Sequence, residues 1–374
     1  MKSVLKALGT VGGGAFLSML VACGGGGSSS SVNTTMQTFV ETLLVSDGAV
    51  PAAHTDPNLK NGWGVAFNPK GFVWVADNGT NVATLYDGNG VPQTLVVSIP
   101  NGTNGPASPT GIIFNGTSDF MISQNGKSGV AAFIFSGEGG TITAWAPAVA
   151  PTAALVEYDD GAGGAVYKGL ALAADNGNNF LYATDFHNNK IDVFDRTFTK
   201  VAMPGGFHDP SLPAGFAPFG IQAVGSRLFV TYAQQDPDAH DDVAGAGLGF
   251  VDVFDTEGNF RQRFASGGPL NAPWGITQAP SNFGPLSNAI LIGNFGDGMI
   301  HAFDQTSGLL MGTLNTANGN AFVQAGLWGI AFGNGLDNQP VNTLFFAAGP
   351  NDEANGVYGR IDVQTTTTSS MPMM

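Results

Sequence analysis

One phrase returns throughout this chain: a bulky residue, a glycine and an aliphatic residue. It stands at Trp63-Gly64-Val65, Thr110-Gly111-Ile112, Lys168-Gly169-Leu170, Phe219-Gly220-Ile221, Trp274-Gly275-Ile276 and Trp328-Gly329-Ile330, with the glycines 47, 58, 51, 55 and 54 residues apart. Each copy opens a short apolar run. Most are followed by a second run and a phrase close to Ile191-Asp192-Val193-Phe194-Asp195. Short alternating runs bounded by Gly, Pro, Asn and Asp read as strands joined by tight turns. A period of about 50 residues with four strands per repeat is that of a β-propeller blade. A solenoid needs shorter, more even repeats, and two sandwich domains would not reuse one phrase six times. The fold class is therefore all-β: a six-bladed β-propeller of four-stranded antiparallel blades over residues 39–363.

The last repeat lacks a fourth strand, because its pattern ends at Val363. The chain also opens with a strand that has no hairpin partner, Phe39 to Ser46. A sheet left open exposes an unpaired edge. The N-terminal strand is thus expected to close the last blade. The Thr/Ser-rich tail 364–374 is expected to be disordered.

The N-terminus reads as an address. Lys2 and Lys6 precede a short apolar stretch that ends Leu20-Val21-Ala22-Cys23, followed by four glycines and four serines. The stretch is too short to span a bilayer. Its end resembles a bacterial lipobox, which implies a signal peptide over 1–23, lipidation of Cys23 and a flexible tether over 24–38. Gly24 after the cysteine resembles the pattern of export to the outer membrane. The alternative is an ordinary cleavage site with a leftover thiol. Cys23 is the only cysteine, so disulfides are excluded. Without Lys2 and Lys6, 28 acidic residues face 11 basic ones. That balance repels phosphate backbones and anionic headgroups. Nucleic-acid binding is excluded, and any membrane association would run through the lipid alone.

The stretch Leu181-Tyr182-Ala183-Thr184-Asp185-Phe186-His187-Asn188-Asn189-Lys190-Ile191-Asp192-Val193-Phe194-Asp195 closely matches NHL-type propeller repeats. Trp74-Val75-Ala76-Asp77-Asn78-Gly79-Thr80, Asp241-Asp242-Val243-Ala244-Gly245, Gly293-Asn294-Phe295-Gly296-Asp297-Gly298 and Ala348-Gly349-Pro350-Asn351-Asp352-Glu353-Ala354 extend the likeness over residues 39–363. Here the chain resembles a family of uncharacterised secreted bacterial propellers whose members often carry a PEP-CTERM sorting tail. The resemblance implies a fold and an extracytoplasmic setting, and no activity. This chain departs from it in having no apolar span or basic cluster after Val363.

Residues at strand ends converge on the mouth of a propeller channel. Aligning the second strands puts Asp77, Glu138, Asp185, Tyr232, Asn294 and Ala348 at matching positions, with Asn78 and Asn351 beside them. Asp77, Glu138, Asp185 and Asn294 could together hold a hard cation, Ca2+, and so resemble metal-dependent hydrolases of the gluconolactonase type. The alternative is that these side chains only bond turn amides. A second acidic cluster, Asp236, Asp238 and Asp241, interrupts the fourth repeat. Its spacing approximates a calcium loop without the Gly and Glu of an EF-hand, and a solvated acidic loop is the alternative. The five histidines form no HxH or HExxH pair, and no Gly-x-Ser-x-Gly elbow occurs. Trp63, Trp274 and Trp328 are expected to pack between blades. The function expected is a binding or scaffold module for a protein or glycan, acting as a monomer without a required cofactor. The alternative is a Ca2+-dependent hydrolase or lyase. A quinone-cofactor dehydrogenase is disfavoured, since its cofactor-facing Arg/Lys set is not evident.

Overall fold

A computed structural model describes residues 32–370. Cys23, the signal peptide, the tether up to residue 31 and residues 371–374 lie outside the described residues. Six small sheets follow one another along the chain, the first five each running from an inner to an outer strand in sequence order. Blade 1, for example, is Gly62–Phe67, Val73–Asp77, Val82–Tyr86 and Val97–Ser98. Blade 2 spans 109–159, blade 3 167–201, blade 4 216–266 and blade 5 273–313. Blade 6 takes Leu327–Phe332, Leu344–Ala348 and Val357–Ser370 from the C-terminal end, and its fourth strand, Val32–Ser46, from the N-terminal end. The expected closure is therefore present. Both closing strands are longer than the sequence pattern indicated. The C-terminal one continues through Thr365–Thr368 to Ser370, where β-branched threonines favour extended backbone.

There is no single core. An apolar cluster fills each seam between adjacent blades, such as Trp74, Leu85, Phe133 and Trp145 between blades 1 and 2. Leu44, Val73, Val75, Phe345 and Tyr358 likewise fill the seam between blades 6 and 1. A seventh cluster lies on the axis and joins Trp63, Phe186, Phe219, Trp274 and Trp328.

The repeated phrase has a definite structural meaning. In every blade the inner strand slips register there: Tyr167 pairs with Asp185 and Gly169 with Thr184, leaving Lys168 out of the ladder. Trp274 is left out in the same way between Pro273 and Gly275. The other four copies sit in matching slips. Each copy is a β-bulge, which bends the strand and re-aims the extra residue. The glycine after it has no room for a side chain. A β-carbon would strike the next inner strand at Thr110 from Gly64, Leu170 from Gly111 and Phe219 from Gly169. The series continues with Trp274 from Gly220, Trp328 from Gly275 and Trp63 from Gly329, which completes the ring.

Candidate functional site

The bulges turn Trp63, Lys168, Phe219, Trp274 and Trp328 toward the axis, while the Thr110 hydroxyl bonds Ser136 O and Tyr167 O. Trp63 stacks on Trp328, with ring centroids 3.6 Å apart, and both meet Trp274 edge-on at 5.7 and 5.9 Å. Phe295 also stacks on Trp328, at 4.0 Å. Aromatic rings thus fill the channel near one end, and a cavity of about 50 Å³ lies beside the inner-strand glycines and Trp274. The tryptophans pack against one another on the axis as well as between blades. Two of their indole N–H groups are satisfied: Trp274 Nε1 donates to Lys168 O at 3.0 Å and Trp328 Nε1 to Asn61 Oδ1 at 3.0 Å. Trp63 Nε1 is buried without an acceptor.

Above this floor sits a charged group built from four blades. Lys168 has a side chain only 2% exposed, and its ammonium lies 5.2 Å over the Trp63 ring. It donates to Glu138 Oε1 and, at 3.3 Å, to Asp241 Oδ1. Burial works against its charge, but Glu138 and Asp241 outweigh that, and its pKa is raised. Asn78 Nδ2 donates to Glu138 Oε2 at 2.8 Å. Asn61 Nδ2 donates to Glu353 Oε1 at 2.9 Å. Glu353 ends a run of three non-glycine residues with positive φ: Asn351, Asp352 and Glu353 at 58°, 51° and 62°. L-residues in this conformation cost about 1–2 kcal/mol each, and such strain gathers at functional sites.

The insertion of blade 4 reaches the same group. Asp236 Oδ1 accepts from the backbone N–H groups of His240 and Asp241 and so shapes the loop. His240 Nδ1 lies 2.8 Å from Asp241 Oδ1. This contact, with Lys168, lowers the Asp241 pKa to about 2; it also raises that of His240, against burial and the charge of Lys168. Burial pushes Asp242 up to about 7, against the pull of Lys168. Burial also raises Glu353. Ligand atoms of Glu138, His240 and Asp241 all lie within 4.8 Å of one another, the one such His/Asp/Glu trio among the described residues. Of the loop carboxylates, only Asp241 enters that trio.

The residues aligned from sequence do not form one ring. Strand register matches Asp77 with Asp185 and with Gly137, so Glu138 corresponds to Asn78, one position further on. Successive residues face opposite sides of a strand, so Glu138 reaches the mouth while Asp77 and Asp185 lie in seams. Asp185 accepts from the N–H groups of Val166 and Asn188 and from Asn188 Nδ2. Asn294 Nδ2 donates to Pro269 O and Asp297 Oδ1. Tyr232 is buried beside a cleft of about 140 Å³ that Phe207, His208 and Asp209 also line. Asn351 is exposed and donates to Asn355 Oδ1. Lys168 and Glu353 were missed from sequence. Lys168 was legible as the one charged residue in the six bulky positions.

No family model matches the chain. Two uncharacterised proteins of Acanthamoeba polyphaga mimivirus do. One is 33% identical over 325 residues, covering 85% of this chain and 78% of the relative. The other is 33% identical over 328 residues, covering 85% and 84%. The chain belongs to the family of these uncharacterised proteins. They are viral, whereas the sequence likeness had pointed to a bacterial family. Among solved structures, a Bacteroides thetaiotaomicron protein of unknown function superposes with a TM-score of 0.54 at 14% identity, covering 88% of this chain and 76% of that one. A streptogramin B lyase superposes at 0.51 and 16%, covering 88% and 98%. An inactive virginiamycin B lyase from Staphylococcus aureus, with quinupristin, superposes at 0.50 and 15%, covering 87% and 99%. At these identities the likeness establishes the propeller fold alone.

Proposed function

We propose that the protein is a binding module that presents its channel mouth to a protein or glycan ligand, held at the outer membrane of a cell envelope by a lipid on Cys23. The observation that carries the binding reading is the state of Lys168. The one lysine of the axial ring is buried beneath Glu138 and Asp241 over an aromatic floor, so it is neutralised and shielded. What the mouth offers outward is the carboxylate of Asp241, with a side chain 63% exposed. Such a surface suits a ligand that brings an ammonium or amidinium group, as a basic peptide or an amino sugar does. The lipobox and the Gly/Ser tether support the anchoring. Titration calorimetry of the full chain against basic peptides and amino-sugar oligosaccharides should find a ligand whose affinity falls about tenfold or more in Glu138→Gln/Asp241→Asn. Absence of binding by both classes, or binding indifferent to that variant, would sink the reading.

The trio Glu138, His240 and Asp241 favours a second reading, a metal-dependent hydrolase or lyase. A mixed O/N donor set fits a divalent ion, and the ion would polarise a substrate carbonyl. It must compete with Lys168, which already holds two of the three ligands. Metal-dependent turnover abolished by His240→Ala would establish this reading over the first.

A further inference from the structure

Away from the mouth, in the seam between blades 6 and 1, two buried carboxylates have no positive partner. Asp77 is fully buried, and neither of its carboxyl oxygens is held in a hydrogen bond of normal geometry. Thr84 lies diagonal to it on the next strand, and its buried hydroxyl and N–H face Asp77 and offset its burial only in part. The charge of Asp56 reaches Asp77, and no lysine or arginine offsets it. Asp56 is itself buried; Oδ1 accepts from Asn58 N and Nδ2 at 2.9 and 3.0 Å, and Oδ2 from the Tyr86 hydroxyl at 3.1 Å. An ionised carboxylate removed from water requires a compensating charge or donors.

The repeats supply their own standards. Register matches Asp77 with Asp185 in blade 3 and Tyr232 in blade 4, and Thr84 with Asp192 and Asp252. In blade 3, Lys190 lies 3.3 Å from Asp185 and 3.1 Å from Asp192, and Lys200 lies 2.7 Å from Asp192. In blade 4, Arg263 binds both Asp252 and Asp209. Both seams therefore pair buried carboxylates with a side-chain cation. In blade 1 the position of Lys190 is Val82.

We propose that Asp56, Asp77 and Thr84 form a binding site for one hard divalent cation of the Ca2+ class, which takes in blade 1 the role that Lys190 has in blade 3. The donors are carboxylate and hydroxyl oxygens, the set that Ca2+ prefers, with no nitrogen or sulfur to favour zinc. Two carboxylates balance a divalent charge. The site is separate from the trio at the mouth and shares no residue with it.

The test uses the full chain, dialysed against Ca2+ and then against buffer. Elemental analysis should find one ion per chain, and a chelator should lower Tm by about 5 °C, reversed by Ca2+. Asp77→Asn should hold no ion and ignore the chelator. Val82→Lys, which installs the ammonium of blade 3, should also lose the ion while keeping a Tm close to that of the loaded protein. Glu138→Gln/Asp241→Asn should keep the ion, which assigns it to the seam. A wild-type chain without ion whose Tm ignores both Ca2+ and chelator overturns the proposal. So does an ion lost in the mouth variant and retained in Asp77→Asn. Should Asp77→Asn fail to fold, the wild-type stoichiometry and the mouth variant decide.

Discussion

Asp77 and Asn78 are consecutive residues with opposite surroundings. Asp77 faces the seam between blades 6 and 1, sealed by Leu59, Val75 and Ala347. Asn78 faces the mouth and bonds Glu138 of the next blade. The seam is local, made by two adjacent blades and the N-terminal strand. The mouth is collective, since blades 1, 2, 3, 4 and 6 all place polar groups there. Seams should therefore govern whether the ring holds together, and the mouth should govern what the ring recognises. A change in one need not be felt in the other.

The largest expected effect tests the seam. Removing residues 1–47 deletes the outer strand of blade 6 with the buried side chains of Phe39, Leu44 and Val45. At about 1.5–3 kcal/mol each, their loss alone approaches the whole stability of a typical domain. Urea denaturation should show a collapse of the midpoint; an unchanged transition would break the comparison. Next comes Lys168→Met, at the mouth. It leaves Glu138 facing Asp241 with no cation between them, and breaking such a buried pair costs about 3 kcal/mol. The far-ultraviolet spectrum should remain that of the intact ring. A variant that unfolds the whole ring at 25 °C would show that mouth and seams are not separable.

The smallest effect concerns pH. Burial raises the pKa of Glu353 above the ordinary value of about 4.3. The folded state then holds this proton more tightly than the unfolded chain. Its contribution is fully present below the unfolded pKa and is lost as pH rises through the folded one. The Tm of Glu353→Gln should therefore fall less than that of the wild type as pH rises from about 4 into the neutral range. Parallel curves would place the Glu353 carboxyl in water.

Much of the architecture was legible in the sequence, because a repeated phrase reports a repeated unit. The copy number and the closure by an N-terminal strand carried over, while the closing strands run from Val32 and on to Ser370 rather than from Phe39 and to Val363. The site was less legible, for a reason visible at Glu138. Alignment by appearance put it with Asp77, but the strand ladder puts it with Asn78. A one-residue difference reverses the face on which a side chain lies. The return of Asp241 over Lys168 had no local signature either. It depends on a loop of blade 4 folding over toward blade 3, where Gln235 donates to Phe186 O, and nothing in the spacing of Asp236, Asp238 and Asp241 announces that direction.

The six bulges carry a consequence beyond packing. All but that of Thr110, whose hydroxyl bonds Ser136 of its own blade, deliver a side chain to the centre without using it in their own sheet, so the ring works like a drill chuck with replaceable jaws. In this chain the jaws read Trp, Lys, Phe, Trp and Trp. Exchanging one alters the grip at the centre and leaves the hydrogen-bonded ladder of its blade in place. Mutational drift at these positions could therefore retarget the molecule while the frame around them stays the same.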